Sequence, residues 1–236
     1  MSFTPPAGIE FWPFLTRLGE AQILLPLALV CMLWLCLWGN QRALALRWCA
    51  AMVLATLLTL GSKIAFFGWG IGSADWDFTC FSGHAMFSAS ILPVLAWVAG
   101  ARLGPRGQRG AAALGLLFAA AIAYSRLEVR AHSPSEALAG FLLGAAASAF
   151  ALYGVQESRH APSPWLPVGL AIWLALTPTH APPSKTHDWV QQLSMQLSGR
   201  VPPFSRQELH WRARQAHKRL ALHQCSLAPD KVCDQS

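Results

Sequence analysis

Residues 78–100 read FTCFSGHAMFSASILPVLAWVAG. A polar knot, Ser82-Gly83-His84, opens the stretch, and no charged residue follows it through position 100. A hydrocarbon core about 30 Å thick is crossed by roughly 17 to 25 apolar helical residues. The stretch therefore predicts a membrane helix with a histidine at its mouth.

The rest of the chain repeats that pattern. Of 236 residues, 54% are hydrophobic and 12% charged, against about 25% charged in an ordinary soluble domain. Uncharged stretches cover 21–41, 48–62, 85–101, 110–125, 137–156 and 161–184. A soluble helical protein would show a charged face on each helix at the 3.6-residue period, and these windows have none. The expected fold is all-α: a polytopic membrane helical bundle of about six transmembrane helices with a polar C-terminal tail. The first stretch follows Glu10, Arg17 and Glu20, without a basic leader or a small-residue cleavage pattern, so it is read as a retained helix.

Three parts are expected. Residues 1–20 form an interfacial segment carrying Phe3, Phe11, Trp12 and Phe14; residues 21–179 form the membrane domain; residues 180–236 form a basic extramembrane tail. The tail holds eight Lys/Arg and four Asp/Glu, and residues 206–223 read as a basic helix. Its histidines, His180, His187, His210, His217 and His223, include no closely spaced pair with a third ligand, so no metal is expected. A basic tail on a membrane protein meets anionic headgroups; nucleic acid is not expected.

Short loops set orientation through Lys and Arg. Arg42 and Arg47 lie between the first two stretches, and Arg102, Arg106 and Arg109 between the third and fourth. Those loops are expected in the cytoplasm. Asp75 and Asp77, on the opposite side, are expected in the periplasm together with the tail, where Cys225 and Cys233 could form a disulfide. Cys31, Cys36 and Cys49 fall within apolar stretches and are expected as small buried side chains.

With alternating crossings, the out-of-place polar residues share that outer side: Lys63, Ser82-Gly83-His84, Ser125-Arg126, His132 and Glu136. Ionisable groups at membrane depth are costly and usually face a bundle interior or wet cavity. Lys63 and Arg126 supply fixed positive charge, and a guanidinium fork matches phosphate oxygens. A helix start at Ser82-Gly83 offers N–H groups and a positive dipole end to an anion. Two histidines can divide a displacement at phosphorus between a nucleophile and an acid. Ser133-Pro134-Ser135-Glu136 also fits a capping box with proline at the first helical position.

SGH at 82–84 and SRLEVRAHSPSE at 125–136 resemble the second and third signatures of the type 2 phosphatidic acid phosphatase superfamily. The third signature is Ser-Arg, five residues, His, three residues, Asp; the spacing here matches through His132 to Glu136. The resemblance covers about residues 21–155. It implies that His132 is the nucleophile that becomes phosphorylated, that His84 is the general acid, and that Glu136 orients the His132 ring. It further implies that Lys63, Ser82, Gly83 and Arg126 hold the phosphate. The chain departs from the family at three points. The arginine expected seven residues after Lys63 is absent, where Gly70-Ile71 stands, and Arg130 is the candidate to replace it. Phe81 replaces a proline before Ser-Gly-His, and Glu136 replaces aspartate.

The expectation is a cofactor-free lipid phosphatase of a bacterial inner membrane, its site facing the periplasm and its partners the bilayer and a lipid phosphate. Candidate substrates are undecaprenyl diphosphate, phosphatidylglycerol phosphate, phosphatidic acid and phosphorylated lipid A. The alternatives are a lipid phosphotransferase and a non-catalytic lipid-binding or transport protein of the same architecture.

Overall fold

Apolar runs of this length satisfy their backbone N–H and C=O groups without water by forming α-helices. The computed structural model describes residues 11–155, 163, 165–180 and 186–227, with part of 165–180 and all of 222–227 described at the backbone. The helices are α1 (Phe11–Arg17), α2 (Ala21–Leu37), α3 (Arg42–Trp69), α4 (Gly83–Ala99), α5 (Gly104–Glu128), α6 (Pro134–Leu152), α7 (Trp165–His180), α8 (Thr186–Ser198) and α9 (Arg206–Leu227). No strand occurs among the described residues; extended backbone meets in one isolated bridge, Ser73 to Phe78, in the loop before α4.

Each of the six uncharged stretches is a helix, α2 to α7. Among the described residues, three helical runs can by length and composition cross a membrane, Arg42–Trp69, Gly83–Glu128 and Pro134–Leu152, and a fourth is α1 with α2 if the pair, joined at a 43° bend, is one span. The run Gly83–Glu128 doubles back on itself. Gly115 lies against the Leu92 carbonyl, Gly100 against Ala111, and Gln108 Nε2 donates to the Trp97 carbonyl at 3.5 Å. These pairings make α4 and α5 antiparallel neighbours. The expected count of about six thus resolves into α2 to α6 and a shorter α7 of 16 residues.

The bundle is organised around α4, whose residues are buried on nearly every side. A helix apolar all round belongs at the centre of a bundle. Its contact with α6 depends on small residues. A Cβ on Gly140 would meet the Ser82 carbonyl, and one on Gly144 the Met86 carbonyl, so α4 and α6 run parallel at close approach. Trp48 Nε1 donates to the Ser90 carbonyl at 2.9 Å and ties α3 to the same helix. The outward faces carry exposed Leu29 and Leu33 on α2, Leu54, Leu57 and Leu58 on α3, Leu114 and Leu117 on α5, and Leu138 and Leu142 on α6. Contiguous apolar surface of this kind belongs against lipid rather than water.

Residues 11–20, expected at the interface, also build the bundle wall. Leu15, Leu18 and Glu20 are buried, and Trp12 packs on Tyr124 of α5 with ring centroids 5.6 Å apart. The tail is docked as well. On α8, Val190, Ser194 and Ser198 recur every fourth residue, and Ser194 and Ser198 meet Gly68 of α3. The His187 ring stands edge-on to Phe67 at 5.4 Å, and Phe204 N donates to the Phe67 carbonyl at 2.9 Å. The Phe204 ring then covers Gly70, whose left-handed backbone (φ 71°) ends α3. Cys31 is buried, Cys36 partly so, and Cys49, expected inside, lies on the exposed lipid-side face. Phe3 and Cys233 lie outside the described residues, and Cys225 is described at the backbone alone.

Candidate active site

Four helix ends come together because α3 and α5 finish where α4 and α6 begin. At this end a cavity of about 620 Å³ is lined by Lys63 of α3, Gly83 and His84 of α4, Arg126 of α5, and His132 from the turn before α6. Gly19, in the bend between α1 and α2, closes one side; a Cβ there would lie 2.7 Å from Ile122 and 3.2 Å from His84. Thr186, His187 and Val190 of α8 close another. Lys63, Gly83, His84, Arg126 and His132, expected from separate parts of the sequence, therefore face one space.

His132 is fixed by the residue four positions on. Its Nδ1 lies 2.8 Å from Glu136 Oε2, and the carboxylate is wholly buried. The same carboxylate accepts from Ser133 N at 3.1 Å and from Thr79 N at 2.8 Å, and Thr79 Oγ1 donates to it too. The Ser133–Glu136 capping box is complete, so Glu136 both starts α6 and contacts the imidazole. With Nδ1 engaged, Nε2 is the nitrogen left to a ligand in the cavity. Burial pulls the His132 pKa below the ordinary 6.5, outweighing the upward pull of Glu136, with Arg126 and Lys63 adding to the depression. The ring is therefore neutral at pH 7, with a lone pair to offer. Cys80 lines the cavity as well, but burial raises its thiol above the usual value and keeps it a poor nucleophile.

Positive charge surrounds the space. Arg126 NH1 donates to Thr16 Oγ1 at 2.7 Å, while its Nε and Thr59 Oγ1 are buried with no partner among the described residues. Unsatisfied buried polar atoms on a cavity wall are what a bound polar ligand would complete. Lys63 Nζ lies 3.7 Å from where a Gly83 Cβ would stand, so the ammonium reaches the start of α4. The first N–H groups of a helix have no partner within it.

Two expected residues sit differently. Ser82 is wholly buried behind the wall; its N–H, expected to face an anion, donates to the Glu136 carbonyl at 3.2 Å. Arg130, expected to replace the absent arginine, is exposed with a left-handed backbone (φ 52°). It lines a neighbouring 410 Å³ cavity on the far side of His132, with Asp77 and Arg206.

Arg206 is a residue that the sequence did not single out. Its NH2 lies 2.8 Å from both oxygens of Glu136, and its NH1 lies 2.7 Å from Asp77 Oδ1 and 2.9 Å from the Asp77 carbonyl. His210 Nε2, one helical turn on, lies 2.7 Å from the same Asp77 oxygen. Burial is the strongest single influence and pushes the Asp77 carboxyl upward, but the hydrogen bonds and charges of Arg206 and His210 together outweigh it and hold it below the usual 3.8. Thr79 and Thr16 were missed too, since neither belongs to a motif. Only their contacts mark them.

The sequence profile of the PAP2 superfamily matches residues 25–160 of this chain. This chain belongs to the PAP2 superfamily. The superfamily includes phosphatases acting on phosphate esters. The chain is also 34% identical over 209 residues to the "Uncharacterized 22.5 kDa protein in cps region" of Klebsiella pneumoniae, spanning 86% of this chain and 99% of that protein. No solved structure matches.

Proposed function

We propose that the protein is an integral membrane lipid phosphatase that hydrolyses a lipid phosphomonoester or diphosphate through a phosphohistidine at His132. The observation that carries this reading is the His132–Glu136 pair at 2.8 Å, opening on a cavity with His84, Lys63 and Arg126. His132 Nε2 attacks phosphorus and the bond to the leaving oxygen breaks, His84 giving that oxygen a proton. Water then attacks the phosphorus–nitrogen bond, His84 taking the water's proton, and phosphate leaves with His132 restored. Lys63, Arg126 and the N-terminus of α4 at Gly83 balance the charge on the phosphoryl oxygens, the largest contribution in most phosphoryl transfers. The bound phosphate's own negative charge favours the protonated form of His84.

The apolar side of the cavity supports a lipid substrate. Leu25, Thr56 and Phe87 line both the 620 Å³ cavity and an adjoining groove of about 600 Å³, which continues along α2 and α3 past Leu29, Met32 and Val53. A hydrocarbon chain fits that lining, while the headgroup meets the cations. Orientation follows from the short loops. Arg42 and Arg47 begin α3 beside the end of α6, where Arg47 NH1 donates to the Tyr153 carbonyl at 2.7 Å. Arg102, Arg106 and Arg109 flank the α4–α5 turn. All five lie at the end remote from the cavity, which favours a periplasmic site in a bacterial inner membrane.

The test is phosphate release from phosphatidic acid, phosphatidylglycerol phosphate, undecaprenyl diphosphate and phosphorylated lipid A in detergent micelles. The native protein is compared with His132→Ala and His84→Ala. Loss of turnover and of an acid-labile phosphoenzyme in His132→Ala is expected, and turnover by that variant would sink the mechanism. A phosphorylated lipid acceptor with little free phosphate would instead identify a phosphotransferase.

A further inference from the structure

Arg206 stands outside residues 25–160, yet it lies 2.8 Å from both oxygens of the carboxylate that contacts His132. We propose that Arg206 is a positioning residue for phosphoryl transfer: the C-terminal segment inserts a guanidinium that fixes Glu136 and sets how strongly Glu136 holds a proton on His132. The proposal rests on His132 being the nucleophile.

The geometry requires a balance at Glu136. A carboxylate offers about four lone-pair directions. Here they are shared among His132 Nδ1, Ser133 N, the two Thr79 donors and Arg206. Without Arg206, a wholly buried carboxylate would have imidazolium as its one cationic contact, and proton uptake by His132 would be favoured. A protonated ring has no lone pair for phosphorus. With Arg206 present, the carboxylate charge is already matched, and its role reduces to orienting the neutral ring. Arg206 is itself held from behind by Asp77, whose Oδ1 also meets His210. The segment is seated apart from this pair, by Phe204 on Gly70 and by Ser194 and Ser198 on Gly68.

The other ionisable groups facing His132 and Glu136 are Lys63 on α3, Asp77 and Cys80 in the loop before α4, His84 on α4, Arg126 on α5 and His187 on α8, with Arg130 beyond the ring. Lys63 and Arg126 oppose protonation of His132 whatever stands at position 206. Substitutions at 206 and 77 therefore isolate the contribution from α9.

The experiment follows the His132 imidazole directly, by NMR of full-length, histidine-labelled protein in detergent micelles, its signal assigned by its loss in His132→Ala. Arg206→Gln is expected to raise the titration midpoint by about one pH unit. Arg206→Lys, which keeps the charge, should restore most of it. Asp77→Asn removes the negative charge behind Arg206 but leaves the Asp77 carbonyl and Glu136 to hold it, so the midpoint should fall. Glu208→Gln, which breaks only the Arg200 and Arg212 pairs of the segment, should leave it in place. An unmoved midpoint in Arg206→Gln, or movement of Arg206→Gln and Asp77→Asn in the same direction, overturns the proposal. If Arg206→Gln does not accumulate, Asp77→Asn decides alone: a fall supports the proposal, and no change or a rise defeats it. Turnover of dioctanoyl phosphatidic acid by His132→Ala would refute the nucleophile reading separately and leave the titration result standing.

Discussion

The bundle of α3 to α6 and the C-terminal segment meet at Glu136, the segment through Arg206 at the start of α9, but they reach it differently. In the bundle, position follows from topology: two helices end and two begin at one level, so Lys63, His84, Arg126 and His132 converge on one cavity. The C-terminal pair, seated on α3 by Phe204 and Ser194, reaches Glu136 through one arginine held between Asp77 and Glu136. A site built on packed helices is rigid, because moving one member means repacking a core. One held by an arm about a third exposed is open to adjustment. In the mechanism proposed above, the bundle supplies the reaction chemistry and the tail sets its pH range.

Substitutions can break or sharpen this division. His132→Ala should have the largest effect, at least about 10³-fold in turnover and complete loss of phosphoenzyme, measured by phosphate release and acid-labile labelling. Glu136→Gln comes next. It keeps the shape of the side chain, takes the charge away from the ring and leaves Arg206 with Asp77 as its one ion-pair partner, and it should cost about 10²-fold in turnover. It should also make the segment around α9 more open to limited proteolysis. Combined with Arg206→Gln it should cost less than the sum of the two single changes, since both act through one carboxylate. Additive losses would separate the two regions and defeat the comparison.

Arg206→Gln alone should leave turnover near native at alkaline pH and lower it by up to about tenfold on the acid side, the arithmetic of a one-unit shift. A purely structural role would lower turnover equally at every pH. Gly144→Leu tests the bundle by packing alone. A Cβ already meets the Met86 carbonyl and the Ala89 side chain, so a larger side chain should destabilise by about 2 kcal/mol, read as a lower melting temperature in detergent. Acidification should loosen the tail by itself. The folded Asp77 pKa lies below its ordinary 3.8, so its contribution to docking is complete above that value and is lost as pH falls through the lower, folded value. Trp211, on α9, offers a fluorescence reading, and Asp77→Asn should abolish the dependence. Glu208→Gln should have the smallest effect, under about 1 kcal/mol, because its ion pairs are partly exposed.

The sequence disclosed the bundle because its signals are local and periodic. Charge-free windows marked each helix, and the five-residue gap from Arg126 to His132 followed by Glu136 four residues on needed no knowledge of distant contacts. Ser82 was misjudged for a definite reason. Its N–H could be assigned to a ligand only by ignoring the Glu136 carbonyl, which packs against it from a helix more than fifty residues away. Arg130 is the candidate to replace the absent arginine, but the left-handed turn at that residue carries its side chain to the other side of the His132 ring. Arg206 lay hidden for the opposite cause. It is one of several cations in a basic helix, and only the fold distinguishes it from Arg212, which pairs with Glu208.

The groove shared through Leu25, Thr56 and Phe87 bears on energetics. An enzyme that drew its substrate into water would forfeit about 0.8 kcal/mol for every methylene exposed, roughly 12 kcal/mol for a sixteen-carbon tail. Here the groove lets a lipid's tail stay among hydrocarbon neighbours while the phosphate enters the cavity. For a lipid substrate, binding energy that extraction would have consumed stays with the headgroup, and discrimination between lipids falls to the polar end.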